Sequence, residues 1–267
     1  MQRMRQRRGF TLVEMAIVLV IVGLLIGGIL AAQSMISTSR INAQVRQLQQ
    51  FDIATQQYIG SFNVLPGESG YRAKGVYWTG AMYGNHKLDV ACCANPGGDN
   101  RLGLSEASFF FSDLHEAGYI SENYVATFGP NNNGSYYLQP PFGIGSMLPL
   151  VKLSGAGAGV IPVSNGSGQI FWFLAQPNQP FDFNYQYYGG NYVKPIDAAA
   201  LDSKMDDGLP TSGNIIAVNI APGIASADSD YLPLPVAADD GTCISGGKYN
   251  SSLSSPQCNI LVKASVY

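Results

Sequence analysis

The feature that most limits how this chain folds is a long apolar segment close to its N-terminus. No charged residue occurs from Met15 to Ser39, and the most apolar part, MAIVLVIVGLLIGGILAA, is 18 residues long. A helix needs about 17 to 25 such residues to span the hydrocarbon core of a bilayer. Arginines stand at positions 3, 5, 7 and 8, before the segment, and predict a cytoplasmic N-terminus. The sequence therefore predicts a single-pass membrane protein.

A cleaved secretory signal peptide is the alternative interpretation of this segment. Such a peptide has an apolar region of about 7 to 15 residues, followed by small residues at the cleavage site. The stretch GGILAAQS supplies small residues, and cleavage would then fall near Ala32. The position of the cleaved bond separates the two interpretations.

The helical pattern continues beyond the apolar segment. Apolar residues recur at steps of three and four, at positions 41, 45, 48, 51, 54, 58 and 62. Polar residues are predicted to fill the other faces, among them Gln44, Gln47 and Asp52. We expect one helix from about Phe10 to about Phe62, ended by Gly60 and Pro66. Its first half is apolar all round, and its second half is apolar along one stripe only.

The rest of the chain is predicted to be a globular domain of the α+β class with an antiparallel β-sheet. Helices are expected from about Ser105, which would cap the first of them, to Ala117 and from about Pro195 to Met205. The strand candidates are QIFWFLA, NIIAVNI and the C-terminal NILVKASVY. Because strands cluster late in the chain, the pattern favours α+β.

The composition excludes several classes of function. Charged residues make up 12% of the chain, about half the usual 25%, which indicates a neutral, extracytoplasmic surface. The net charge of −3 gives no basic footprint for nucleic acid. The chain has two histidines, no H-E-x-x-H and no G-x-S-x-G, so the sequence does not predict an enzyme.

The four cysteines have no C-x-x-C spacing, so zinc is not expected. In an oxidising compartment we expect Cys243 to pair with Cys258, because they flank a polar loop, GGKYNSSLSSPQ, that has little else to order it. A disulfide closing such a loop contributes roughly 3 kcal/mol. Crossed pairing with Cys92 and Cys93 is the alternative, and the state of those two cysteines stays open.

The start of the chain resembles a known processing signal. The matching residues are Gly9, Phe10, Thr11, Leu12, Val13, Glu14 and Gly23. A basic leader ending in glycine, then Phe-Thr-Leu-Val-Glu and an apolar helix, is similar to the class III signal of type IV prepilins and of the pseudopilins of type II secretion. The resemblance implies that a prepilin peptidase cuts between Gly9 and Phe10 and methylates the new amino group of Phe10. Many members have proline where this chain has Ala31, so a helix break is not expected there.

The resemblance implies a structural subunit of a type IV pilus or a type II secretion pseudopilus. Residues 1–9 would be a cytoplasmic leader, 10–34 the transmembrane and filament-core helix, 35–64 its amphipathic half, and 65–267 the globular domain. The implied partners are other pilin subunits, prepilin peptidase, an inner-membrane assembly platform and, before assembly, membrane lipid. The implied location is the bacterial inner membrane, then a periplasmic or extracellular filament.

A minor or tip pilin is the alternative function within this resemblance. Such a protein would bind DNA, a host surface or a secreted substrate. The aromatic-rich stretches YWTGAMY and FNYQYYGGNY are the candidate binding surface.

Glu14 is the candidate assembly residue. An ionised carboxylate costs about 2.5 kcal/mol or more at the centre of a bilayer. Thr11 and Glu14 match S/T-x-x-E, so a local capping box is one explanation. A position at the membrane boundary is a second explanation. The third is pairing with the Phe10 amine of a neighbouring subunit, which is the role that the resemblance implies.

Three acidic residues are a candidate metal site. Asp202, Asp206 and Asp207 lie in the stretch DSKMDDG near the C-terminal end of a predicted helix, where acids are unfavourable. Some pseudopilins bind calcium through aspartates and loop carbonyls, and calcium takes six to eight oxygen ligands. A structural calcium is therefore a hypothesis, and a solvated turn is the alternative. No other cofactor is expected.

Overall fold

The structure is a computed structural model that describes residues 11–67, 102, 104–124, 128–130, 136–138, 145–153, 157–164, 169–175, 192–218 and 236–265. The helices are α1 (Leu12–Phe62), α2 (Leu104–Glu116) and α3 (Pro195–Met205). The strands are β1 (Phe128–Pro130), β2 (Tyr136–Leu138), β3 (Gly159–Ser164), β4 (Ile170–Ala175), β5 (Ile215–Val218), β6 (Ile244–Ser245), β7 (Lys248–Tyr249) and β8 (Asn259–Lys263).

The long helix α1 runs unbroken for 51 residues, about 76 Å at 1.5 Å per residue. It passes Ala31 without interruption. It ends at Phe62, as predicted, although it passes Gly60, which therefore does not itself stop the helix. Asn63 ends it in the left-handed conformation (φ 57°), and its N–H donates to the carbonyl oxygen of Ile59 at 2.7 Å. Asparagine tolerates this conformation and is a known C-terminal cap.

The main sheet has the strand order β3-β4-β8-β5, and every neighbouring pair is antiparallel. The predicted α+β class with an antiparallel sheet is confirmed. The central strands β4 and β8 lie within two of the predicted segments. The strand β3 was not predicted, because its sequence GVIPVS contains Pro162, which cannot donate to a sheet. An edge strand tolerates proline, and β3 is an edge strand of this sheet.

The helix α2 begins at Leu104, one residue before the predicted start. Ser105 therefore lies inside the first turn and not at the predicted cap position. Three apolar residues of α2, Phe110, Phe111 and Leu114, are fully buried. Gly118 follows the helix with φ 79°, a conformation that favours glycine.

The core lies between the second half of α1, the helix α2 and the sheet. Phe51 of α1 stacks at a tilt on Phe111 of α2, with ring centroids 4.8 Å apart. Trp172 of β4 is fully buried, and its ring centroid is 5.8 Å from Phe51 and 5.6 Å from Phe110. The helix α3 packs against α1, β5 and β7. The second half of α1 is therefore part of the domain core.

Candidate functional site

The first half of α1 is an uncovered apolar surface. Every residue from Thr11 to Arg40 is exposed, and Leu24, for example, keeps 73% of its surface open. The uncharged part of this segment is about 37 Å long, which is enough to cross a hydrocarbon core of about 30 Å. In the part of the chain that the structure describes, α1 is the one helix long and apolar enough to cross a membrane. A signal sequence would pass the same length test.

Glu14 takes part in a capping box at the start of α1. The Thr11 backbone N–H donates to Glu14 Oε2 at 2.8 Å, and the Thr11 hydroxyl donates to the same oxygen at 2.9 Å. In return, the Glu14 backbone N–H donates to Thr11 Oγ1 at 3.3 Å. Among the described residues, none donates to Glu14 Oε1. The local explanation of Glu14 therefore fits the described residues, and the capping box uses only one of the two carboxylate oxygens.

Asp52 fastens α1 to the sheet. The Trp172 Nε1–H donates to Asp52 Oδ1 at 2.7 Å, and the Ser265 backbone N–H donates to Asp52 Oδ2 at 3.2 Å. One carboxylate thus links the helix to β4 and to the chain just after β8. The predicted position of Asp52 on a polar face did not reveal this role.

Gln44 and Gln47, predicted to lie on the faces beside the apolar stripe, are buried. Gln44 Oε1 accepts from the Lys152 backbone N–H at 2.6 Å, and Gln47 Nε2 donates to the Leu150 carbonyl oxygen at 3.1 Å. Gln44 Nε2 also donates to Gln47 Oε1 at 3.1 Å. The two amides supply partners to the backbone of the segment 150–152. Their i, i+3 spacing beside the apolar stripe is the signal that would have found them.

The three candidate metal ligands lie together at the C-terminal end of α3, Asp202 in its last turn and Asp206 and Asp207 just after it. One carboxylate oxygen from each of Asp202, Asp206 and Asp207 falls within 4.8 Å of the others. Asp202 is buried, which raises the pKa of its carboxyl group, whereas hydrogen bonds from Ser212 and from the Leu209 N–H lower the pKa of Asp207.

All six oxygens of this cluster already accept a hydrogen bond. Asp202 accepts from the Gly208 N–H and the Tyr249 hydroxyl, and Asp207 from the Leu209 N–H and the Ser212 hydroxyl. The donors to Asp206 are the Asn214 and Ile215 backbone N–H groups and the Asn214 side chain. These bonds order the turn between α3 and β5, and calcium binding here stays a prediction.

A disulfide joins Cys243 to Cys258, whose Cα atoms are 4.9 Å apart. The enclosed chain forms the β6–β7 hairpin. Asp239 Oδ1 accepts from the Gly246 N–H at 2.9 Å and Oδ2 from the Gly247 N–H at 2.7 Å. The Tyr249 hydroxyl donates to Asp202 Oδ2 at 2.8 Å, so the disulfide-closed loop is tied to α3.

Several residues from the sequence analysis lie outside the described residues. These are Gly9, Phe10, Cys92, Cys93 and the stretches YWTGAMY and, apart from Tyr192, FNYQYYGGNY. Their predictions are neither tested nor altered by the geometry.

Comparison with known proteins adds one finding on the N-terminal segment. Residues 4–30 match the family model described as the prokaryotic N-terminal methylation motif. The chain thus carries the class III signal of type IV pilins and pseudopilins, as the resemblance in the sequence predicted. The whole chain matches no curated protein and no solved structure.

Proposed function

We propose that this chain is the precursor of a structural subunit of a type IV pilus or of a type II secretion pseudopilus. The observation that carries the proposal is the continuity of α1. From Leu12 to Leu30, the segment that matches the methylation motif lies in the exposed apolar half of a helix whose other half is built into a domain core. Proteins with this signal are typically structural, which supports a role without enzymatic activity.

The same apolar surface serves two environments in this proposal. Before assembly, α1 anchors the subunit in the bacterial inner membrane, with the leader 1–9 in the cytoplasm. After assembly, the surface is buried against the helices of other subunits, since an all-round apolar helix is stable in either setting. The inner-membrane assembly platform moves subunits from the first setting to the second, and the filament is periplasmic or extracellular.

Glu14 has a double role in this proposal. In the monomer, the Thr11 hydrogen bonds satisfy Oε2 and make the acid tolerable at the start of a membrane helix. After cleavage at Gly9, the methylated amine of Phe10 is a new cation close to this position. When subunits pack, both charges lose water and each needs a partner. The Phe10 amine of one subunit pairs with the Glu14 carboxylate of the next, through the oxygen that the cap leaves open.

The processing step gives the direct test of the proposal. Mass spectrometry of the mature protein should find Phe10 at the N-terminus with one added methyl group. An N-terminus near Ala32 would identify a secretory signal peptide and overturn the proposal.

Immunogold labelling of sheared filaments then separates the finer roles. Continuous labelling of surface filaments supports a repeating pilus subunit. Labelling at the ends alone supports the minor or tip pilin that binds DNA, a host surface or a secreted substrate. Labelling absent from surface filaments, with the mature subunit present in the membrane, supports the secretion pseudopilus.

A further inference from the structure

We propose that the globular domain docks on the anionic phospholipid headgroups of the bilayer that holds α1. The docking surface is the basic rim, which we define as Arg40, Lys152 and Lys194, together with the exposed side chain of Ile196. This inference rests on the proposed membrane anchoring of α1. It adds a second, electrostatic contact with the same membrane.

The basic rim begins where the apolar surface of α1 ends. Ile36 is the last large apolar side chain of the exposed half, and Arg40 follows one helical turn later, about 6 Å along the axis. Gln44 lies one further turn along the same face, because residues four apart share a helix face. Its side chain holds the Lys152 backbone at 2.6 Å. Lys152 is therefore placed about 12 Å beyond Ile36, and its exposed side chain is long enough to shorten that distance.

Lys194, at the start of α3, is the third cation of the basic rim. Lys194 is the N-cap residue of α3, which packs against α1, and the Asp197 backbone N–H donates to the Lys194 carbonyl oxygen at 3.0 Å. Burial raises the pKa of Asp197, and the charges of Lys194 and Arg40 lower it. Asp197 is buried, whereas Arg40 is exposed and Lys194 half-exposed. One buried acid among three cations leaves a net charge of +2 when all four groups are ionised. Ile196, which is 53% exposed, adds an apolar side chain beside them.

The distance of the basic rim from the apolar segment determines whether its positive charge acts on the membrane. Electrostatic attraction to a charged surface extends over about 8 to 10 Å at physiological ionic strength. Arg40 lies within this range of the apolar segment, and Lys152, about 12 Å beyond Ile36, lies just outside it with a long exposed side chain. By contrast, Ser265, just after β8, contacts Asp52, which lies 16 residues beyond Ile36, or about 24 Å along the axis. Basic residues near an anionic leaflet strengthen its binding, and an apolar side chain among them favours insertion at the interface.

The experiment uses the full chain in vesicles of phosphatidylcholine, with or without phosphatidylglycerol as the anionic component. Two photoreactive phospholipids are added in trace amounts, one reactive in its acyl chain and one in its headgroup. Acyl-chain adducts on residues 12–36 report membrane insertion. Headgroup adducts on residues 149–153 and 192–197 report contact of the domain with the membrane surface. We call the number of these adducts divided by the number of acyl-chain adducts the docking ratio.

Two double variants separate the effect of the basic rim on docking from the effect of the net charge of the chain. Lys152→Gln with Lys194→Gln removes two cations of the rim. Lys204→Gln with Lys263→Gln removes two exposed cations elsewhere on the domain, with the same change in net charge. Phosphatidylglycerol should raise the docking ratio of the native chain and of the second variant by about fivefold or more, since each cation near an anionic surface strengthens binding about fivefold. The first variant should lose this rise, and high salt should reduce it in the native chain.

Three results would overturn the inference. Equal docking ratios with and without phosphatidylglycerol would show that the headgroup charge is not recognised. An equal loss in both variants would show a response to net charge only. Headgroup adducts absent from residues 149–153 and 192–197, with acyl-chain adducts present on residues 12–36, would show that the rim does not contact lipid. A chain without acyl-chain adducts on residues 12–36 would instead refute the membrane anchoring on which the inference rests.

Discussion

The two halves of α1 have the same backbone geometry and opposite surroundings. Up to Arg40 every side chain is exposed, whereas Leu48, Phe51, Ala54 and Tyr58 are buried in the domain core. The helix does not change at the boundary, so helical periodicity alone does not distinguish the two. The distribution of apolar residues does distinguish them, because these residues lie all round the helix in the first half and along one stripe in the second. The first half is therefore suited to lipid or to other helices, and the second to its own domain.

The largest expected effect is a loss of filament assembly when Glu14, in the exposed half of α1, is substituted. Glu14→Gln keeps a side-chain oxygen for the capping box and removes the charge. We expect normal cleavage and membrane insertion but little filament, because removing one partner of a buried ion pair costs about 3 to 5 kcal/mol. Fractionation should show the variant accumulating in the inner membrane and scarce in sheared filaments.

Thr11→Ala is the matched control for this substitution. It removes the cap hydroxyl and keeps the charge of Glu14, at a cost of about 1 kcal/mol in helix stability. Filament yield should stay close to that of the native chain. Native yield from Glu14→Gln, with a loss from Thr11→Ala, would show that the cap is the whole function of Glu14.

The second prediction compares one apolar residue from each half. Phe51 is 3% exposed and Leu24 is 73% exposed. Phe51→Ala should lower the free energy of unfolding of the globular domain by about 3 to 5 kcal/mol, because it opens a cavity against Phe111 and Trp172. Leu24→Ala should leave that free energy unchanged. Denaturant unfolding in detergent, followed by tryptophan fluorescence, measures both, and equal losses would contradict the division of α1.

The third prediction concerns the polar attachment of the buried half. Asp52→Ala leaves the Trp172 indole N–H and the Ser265 N–H without their acceptor. An unsatisfied buried donor costs about 1 to 3 kcal/mol. Gln49→Ala, at an exposed position of the same helix, should change stability by less than about 0.5 kcal/mol. If the two variants unfold at the same denaturant concentration, Asp52 does not fasten the helix to the sheet.

The smallest effect is expected from calcium, which would act on the domain and not on the exposed half of α1. If Asp202, Asp206 and Asp207 hold the ion, calcium at ten times its dissociation constant stabilises the domain by about 1.4 kcal/mol. The melting temperature should then be higher in millimolar calcium than in chelator. Asp207→Asn should remove the difference. A melting temperature that does not change between the two conditions would remove calcium from the description of this turn.

The sequence predicted those features that have a period or a specific local pattern. Apolar spacing predicted the length of α1, and the strand candidates contain β4, β5 and β8. The bounds of α3 agree with the prediction, and the T-L-V-E pattern indicated the capping box as one explanation of Glu14. The sequence did not predict β3, because Pro162 argues against a strand until its edge position is known. It also did not predict the contacts of Gln44 and Asp52, because their partners, Lys152 and Trp172, lie more than a hundred residues away.

The attachment of α1 has a mechanical consequence. A subunit that is extracted from a bilayer is pulled along the axis of this helix, and the load passes to the domain wherever the helix is fastened. The contacts between α1 and the domain are spread along the buried half, from Gln44 through Phe51 and Asp52 to Tyr58, whose ring packs against that of Tyr119. Sliding the helix by one turn would break them together and not in sequence. We therefore expect the domain to resist axial pulling as a single unit and to follow its helix out of the membrane still folded.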